Sequence, residues 1–224
     1  MNWEALALTA RLAVIVAAVL AAIGLPIAYW ITYSRTRWKF LIEAVASMPL
    51  VLPPTVLGYY LLVLFGNTTR FGRWYESLTG HTLAFTFTGL VIGSILYSLH
   101  FAVQPFAASF AAVDPRLLAA SATLGASSWR TFWRVILPLS VPGLVTGIAL
   151  SFAHTVGEFG VVLMIGGNIP GVTRTVSIDI YDRVQAAEFA SAGQTALALL
   201  IFSFVVLSVV YALNRKVWAV WPFR

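Results

Sequence analysis

The chain has 224 residues, 60% of them hydrophobic and only 10% charged, with a net charge of +6 and no cysteine. Its mean hydropathy is +0.88, whereas soluble domains run at about 45–50% apolar and about 25% charged residues. These values exclude a soluble domain, disulfides, thiolate catalysis and cysteine-ligated metals, and they point to an all-α integral membrane protein in which residues 1–224 form a single transmembrane unit.

A helix crosses the roughly 30 Å of bilayer hydrocarbon with about 20 apolar residues. The first stretch of that length is Ala5–Ile31. No basic residue precedes it, since the first is Arg11 within the run, and it is too long for a leader's apolar region, so no cleaved signal peptide is expected. The second stretch, Leu41–Phe65, contains the pair Pro53–Pro54. Each proline removes a backbone donor and bends a helix, so a kink is expected there, as a packing feature or as a bend lining a pathway. Pro26, Pro49, Pro105 and Pro142 also lie inside apolar stretches, and neighbouring helices can satisfy the carbonyls they free.

The third stretch is Leu83–Ala111. After it, segment 113–138 reads as two short helices joined by a turn. Asp114 suits an N-cap and Pro115 the first helical position. The first helix ends at Gly125, the residue best able to take a left-handed conformation. Ser127 or Ser128 caps the second, which carries Trp129, Phe132 and Trp133 toward the membrane. Small residues from Ala119 to Ala122 give the first helix a face that another protein can approach closely. A nucleic-acid-binding helix-turn-helix is set aside, because spans clamp both ends and basic residues are too few; a plain amphipathic connector is the simpler alternative.

The fourth stretch is Val135–Val156. The run Phe159–Gly166 is too short to span and reads as a re-entrant or interfacial piece. Thr195–Leu213 is the fifth stretch, for about five transmembrane helices in all. Loops holding Arg35, Arg37, Lys39, Arg116, Arg130, Arg134, Arg215, Lys216 and Arg224 carry nine cations, against four (Arg70, Arg73, Arg174, Arg183) on the other side. The richer side belongs in the cytoplasm. That puts the N-terminus outside and the C-terminus inside an inner membrane, with segment 113–138 cytoplasmic. Trp3, Trp38, Trp74, Trp218 and Trp221 fall near span ends, as interfacial aromatics do.

Ala119-Ala120-Ser121, three residues, Gly125, nine residues, Val135, one residue and Leu137-Pro138 resemble the EAA loop of permease subunits of binding-protein-dependent ABC importers. Ala119, Ser121 and Val135 depart from that family's Glu, Ala and Ile, while the Gly and Leu-Pro spacing is kept. The run from Ser47 to Leu62 resembles the second-span signature of the molybdate permeases of that family. So do Gly157-Glu158-Phe159-Gly160 and the string from Asn168 to Thr175, although Gly-Glu-Phe-Gly is shared with sulfate permeases. The resemblance covers most of residues 40–215. It implies a type I importer fold and a homodimer. It also implies two cytoplasmic ATPase subunits that bind the ATP and Mg, and an external oxyanion-binding protein.

On that basis Ala119, Ala120, Ser121, Leu124, Gly125, Arg130 and Pro138 are expected to couple to the ATPase, with Arg130 and Arg134 meeting ATPase acids or lipid phosphates. Pro53, Pro54, Ser98, Thr155, Glu158 and Asn168 are the candidate pathway or gate residues. The spans hold almost no cations beyond Arg11, so no high-affinity anion site is expected in a chain that receives substrate from a separate binding protein. Glu158 is expected to pair with Arg174 or Arg183, and with His154 one turn away to form a packed polar pair. Two ligands are too few for a metal site, and no cofactor is expected in the chain. The expected activity is molybdate import, tungstate included, with sulfate or thiosulfate import as the alternative. An intramembrane enzyme has no motif to support it. A membrane scaffold would leave the loop spacing unexplained.

Overall fold

The computed structural model describes residues 2–220, and of 213–220 the backbone alone. The expected C-terminal markers Trp221 and Arg224 therefore lie outside the described residues, as do the side chains of Arg215, Lys216 and Trp218. The described residues form helices joined by loops and turns, with no strand among them.

Helix α1, Trp3–Tyr33, is capped by Asn2, whose Oδ1 accepts from Ala5 N at 3.2 Å. It buries Leu12, Val16, Leu20, Gly24 and Ala28; the four-residue spacing draws one stripe along the helix. The second expected span is two helices, α2 (Lys39–Val51) and α3 (Pro54–Phe65), meeting at 109°. The tandem prolines account for the position of the bend. Neither Pro53 nor Pro54 can donate a backbone hydrogen bond, and Pro54 also forces the residue before it out of the helical region; Pro53 sits at φ −54°, ψ 135°.

A short amphipathic helix follows, α4 (Arg70–Thr79), capped by Thr69 Oγ1 accepting from Gly72 N at 2.9 Å. The next span starts at Phe87 rather than Leu83, because Thr86 caps it: α5, Phe87–Ala111, begins where Thr86 Oγ1 accepts from Gly89 N. Helices α6 (Pro115–Thr123) and α7 (Ser128–Thr131) form an elbow outside the bundle. The fourth span begins earlier than hydropathy indicates. Helix α7 runs through one π-helical turn, Phe132–Ile136, into α8, Leu137–Gly157. Leu137 N bonds to Phe132 O, five residues back. Pro138, next in line, has no N–H to continue an i→i−4 ladder, which favours that wider register.

Helix α9, Gly160–Gly166, is the short apolar run. It lies against α3 and α5 with Val161, Val162 and Ile165 buried, so protein covers a backbone that could not face lipid. Its approach to α3 needs two glycines. A Cβ on Gly160 would stand 2.6 Å from Pro54 Cβ, and one on Gly58 would stand 2.8 Å from Met164 Cβ. Helix α10, Val176–Gln185, precedes the last span, α11, Phe189–Val220. In all, four described helices are long and apolar enough to cross a membrane, and the bent pair α2–α3 makes a fifth.

The core is the packing of α1, α5 and α8 on one another, with Phe106 and Phe110 fully buried. Tyr33 Oη donates to Phe110 O at 2.8 Å, joining the ends of α1 and α5 next to the elbow. Just inside the elbow, α5 and α8 exchange two hydrogen bonds. Ser109 Oγ donates to Ser140 O at 2.9 Å, and Ser140 Oγ to Ser109 O at 3.3 Å.

Candidate functional site

The elbow is built from capping chemistry. Asp114 Oδ1 accepts from Arg116 N at 2.8 Å. At the other end of α6, Gly125 N bonds to Ala122 O and Ala126 N to Ser121 O, with Gly125 at φ +74°. This is the paired closure of a Schellman motif. Ser127, the first of the two candidate caps, accepts from Arg130 N at 3.3 Å to start α7. Ser121 Oγ and Thr131 Oγ1 lie 2.7 Å apart and join the two helices across the turn.

The elbow is also bare. No residue of α6 or α7 is buried. Ala119, Ala120, Gly125, Arg130 and Pro138 are exposed, and Ser121 is half-buried. Leu124 is 87% exposed at the tip. The structure thus brings all the expected coupling residues except Pro138 onto one projecting unit, and Pro138 stands where that unit enters α8. Its two ends are continuous with α5 and α8, so any displacement of the elbow is passed directly to two spans of the core.

The expected pathway residues fall into two groups. Ser98 and Thr155 are both fully buried between α5 and α8, with their hydroxyls 3.2 Å apart. Ser98 Oγ is also 2.9 Å from His154 Nδ1, and the His154 ring stacks on Phe101 at 4.1 Å. Glu158 follows at the end of α8, and the Gly160–Pro54 contact sets the Pro53–Pro54 joint beside it. Asn168 lies at the opposite end of α9, in a left-handed conformation at φ +60°.

Two expected pairings are not formed. Glu158 is 3% exposed and its carboxylate makes no ion pair among the described residues; the buried Ser94 hydroxyl is its polar neighbour. Arg174 instead lies 3.5 Å from Asp182 and donates to Asn168 Oδ1 at 2.7 Å. Arg183 is taken by Asp179 at 2.7 Å and Glu188 at 3.5 Å. His154 pairs with Ser98, not Glu158. The competing acids, Asp179 and Asp182, sit on α10 within reach of both arginines, whereas Glu158 is sealed at the end of α8.

This α10 network is what sequence reasoning missed. Asn168 Nδ2 donates to Asp182 Oδ2 at 2.7 Å, so this expected pathway residue also anchors the loop. Asn2 Nδ2 donates to Asp179 Oδ1 at 2.8 Å, and Thr9 Oγ1 accepts from Val176 N at 2.9 Å, so α10 clasps the start of α1. Burial alone would raise the Asp179 carboxyl. Hydrogen bonds from Arg183 and Asn2, with the charges of Arg183 and Arg174, outweigh it and hold the group below its usual range. An Asp-Arg pair four residues apart was the available signal.

The chain matches the family described as binding-protein-dependent transport system inner membrane component over residues 10–219. It belongs to that family. Among its relatives is the molybdenum transport system permease protein ModB of Azotobacter vinelandii, 50% identical over 211 residues that cover 94% of this chain and 93% of that protein. A probable sulfate transport system permease protein, cysT of Chlorokybus atmophyticus, is 32% identical over 86% of this chain and 68% of its own length. A bacterial ABC transporter involved in the import of the acidic polysaccharide alginate superposes with a TM-score of 0.77. That match is 16% identical and covers 95% of this chain and 78% of its counterpart, so it bears on the fold alone. In this permease the segment singled out by its Gly and Leu-Pro spacing is the elbow.

Proposed function

We propose that this permease is the membrane subunit of an ATP-driven importer of molybdate, with tungstate accepted as a close size match. The observation that carries the substrate is the 50% identity, through 94% of the chain, to a molybdenum transport permease. The elbow supports the drive mechanism. It is a small, rigidly capped and exposed docking unit continuous with two core spans, and it receives the motion of a cytoplasmic ATPase through Ala119, Ala120, Leu124 and Gly125. Two copies of this chain, two ATPase subunits and an external oxyanion-binding protein complete the assembly. The N-terminus and α10 face outward, and the elbow faces the cytoplasm.

The pathway in this reading runs along the Pro53–Pro54 joint toward Glu158, with the paired Ser98 and Thr155 hydroxyls holding α5 and α8 together behind it. Hydroxyls and backbone donors bind a dianion weakly, which suits a conduit that must release its cargo; a buried cation would hold it. Selection then rests with the external protein, whose fixed ring of donors fits one size of tetrahedral dianion. The sulfate relative supports the alternative that sulfate or thiosulfate is the cargo.

The test is uptake of labelled molybdate in cells with and without this chain. Loss of high-affinity uptake, rescue by excess molybdate, competition by tungstate and poor competition by sulfate are expected. Equal competition by sulfate, or a sulfur requirement in the deletion strain, replaces this reading with the alternative.

A further inference from the structure

An open groove of about 470 Å³ lies between α1 and the start of the fourth span, a size typical of small-ligand clefts. Leu25, Pro26 and Tyr29 form one wall, and Trp129, Phe132 and Trp133 the other. Its deep end is marked by Ala22 and Leu137, its shallow end by Tyr29 and Ser128. Tyr29 stands seven positions along α1 from Ala22, a length of roughly 10 Å. The wall on α1 belongs to a span, so the groove opens at bilayer depth, beyond the reach of a soluble ATPase.

Basic residues flank both walls of the groove in sequence. Arg130 and Arg134 each directly follow a groove tryptophan; both are exposed, and neither has an ion pair among the described residues. Arg35, Arg37 and Lys39 follow the end of α1, which Tyr33 fastens to the end of α5 beside the elbow. The nearest acid on the elbow, Asp114, is spent as a cap. Trp129 and Trp133 are 71% and 49% exposed, as expected of side chains at the headgroup level. An apolar slot at membrane depth, with the exposed and unpaired Arg130 and Arg134 on the helix that forms one wall, suits a phospholipid with a net negative head.

We propose that this groove binds one anionic phospholipid, with an acyl chain along Leu25, Pro26 and Phe132 and the phosphate at Arg130 and Arg134. The lipid fills a void between α1 and the elbow's entry into α8, so it is positioned to stiffen the joint through which the elbow moves. Assignment to the cytoplasmic leaflet rests on the orientation given under Proposed function; the site itself does not depend on the transported substrate.

The full-length chain, purified in detergent and stripped of lipid, is titrated with phosphatidylglycerol or phosphatidylcholine of identical acyl chains and read by native mass spectrometry. One phosphatidylglycerol is expected to be retained at roughly tenfold lower concentration than phosphatidylcholine, two arginines near a headgroup supplying that preference. Arg130→Gln with Arg134→Gln should erase the preference while leaving weak retention of both lipids. Ala22→Trp, an exposed position whose new ring fills the slot, should reduce both. Arg70→Gln with Arg73→Gln, on α4, should change nothing. Equal binding of the two lipids overturns the proposal, as does undiminished phosphatidylglycerol binding by Ala22→Trp. So does a change of oligomeric state in Ala22→Trp in place of lipid loss, which would give the groove to a second copy of the chain.

Discussion

Ser121 Oγ stands 2.7 Å from Thr131 Oγ1, and this hydroxyl pair fixes the angle between the two helices of the elbow. Removing one partner loses a hydrogen bond worth about 1 kcal/mol. Ser121→Ala and Thr131→Val should each lower transport several-fold without changing the amount of protein in the membrane. The double variant should be no worse than the poorer single one, because both changes remove one bond. Uptake assays with quantified membrane protein check this. Fully additive losses would show that the hydroxyls act separately.

Gly125 separates backbone strain from steric fit. A Cβ there meets nothing within 4 Å, yet φ is +74°. Gly125→Val must therefore fail through its backbone, at a cost of about 1–2 kcal/mol or more for a β-branched residue, and should abolish transport and ATPase co-purification. Gly125→Asn tolerates the left-handed region and should keep most of both. If Asn is as damaging as Val, the docking partner needs the glycine's missing side chain and not its conformation.

Orientation is open to single-cysteine labelling, since the chain has no cysteine of its own. Thr68 suits the outer position better than Thr69, whose hydroxyl caps α4. An impermeant thiol reagent applied to intact cells should label Thr68→Cys and spare Ser128→Cys. The reverse pattern would turn the elbow outward and remove its role in coupling.

Two carboxyls should respond oppositely to amidation. Asp179→Asn loses charge-assisted hydrogen bonds from Arg183 and Asn2 and should destabilise the purified protein by about 2 kcal/mol near neutral pH. Its carboxyl titrates below the usual range in the folded protein, so the stabilisation is present above the ordinary value of 3.8 and fades as pH falls through the depressed one. The gap in melting temperature between wild type and Asp179→Asn should therefore narrow in acid. Glu158→Gln loses no ion pair and should melt no lower than wild type. A large loss in Glu158→Gln would reveal a partner supplied by the assembled complex.

Much of this architecture is legible in the sequence because a bilayer demands it. Apolar length marks the spans, and Asp114, Gly125 and Ser127 mark the elbow through local capping rules. The Pro53–Pro54 pair gives the place of the bend but not its 109°, which depends on Gly58 and Gly160 letting α9 come close to α3. The partners of Arg174 and Arg183 are the acids of α10 and Glu188, not the expected Glu158. Asp179 lies one helical turn from Arg183 on α10 itself, and Asp182 meets Arg174 once the loop from Asn168 has folded back, so neither cation is left for Glu158.

The reciprocal bonds between Ser109 and Ser140 have a mechanical consequence. They lash together the two legs from which the elbow hangs, so a pull on the elbow acts as on a yoke. Both legs must swing as a single lever, and they cannot part like scissor blades. In the proposed transport cycle the yielding part is then the jointed pair α2–α3, with α9 riding against it.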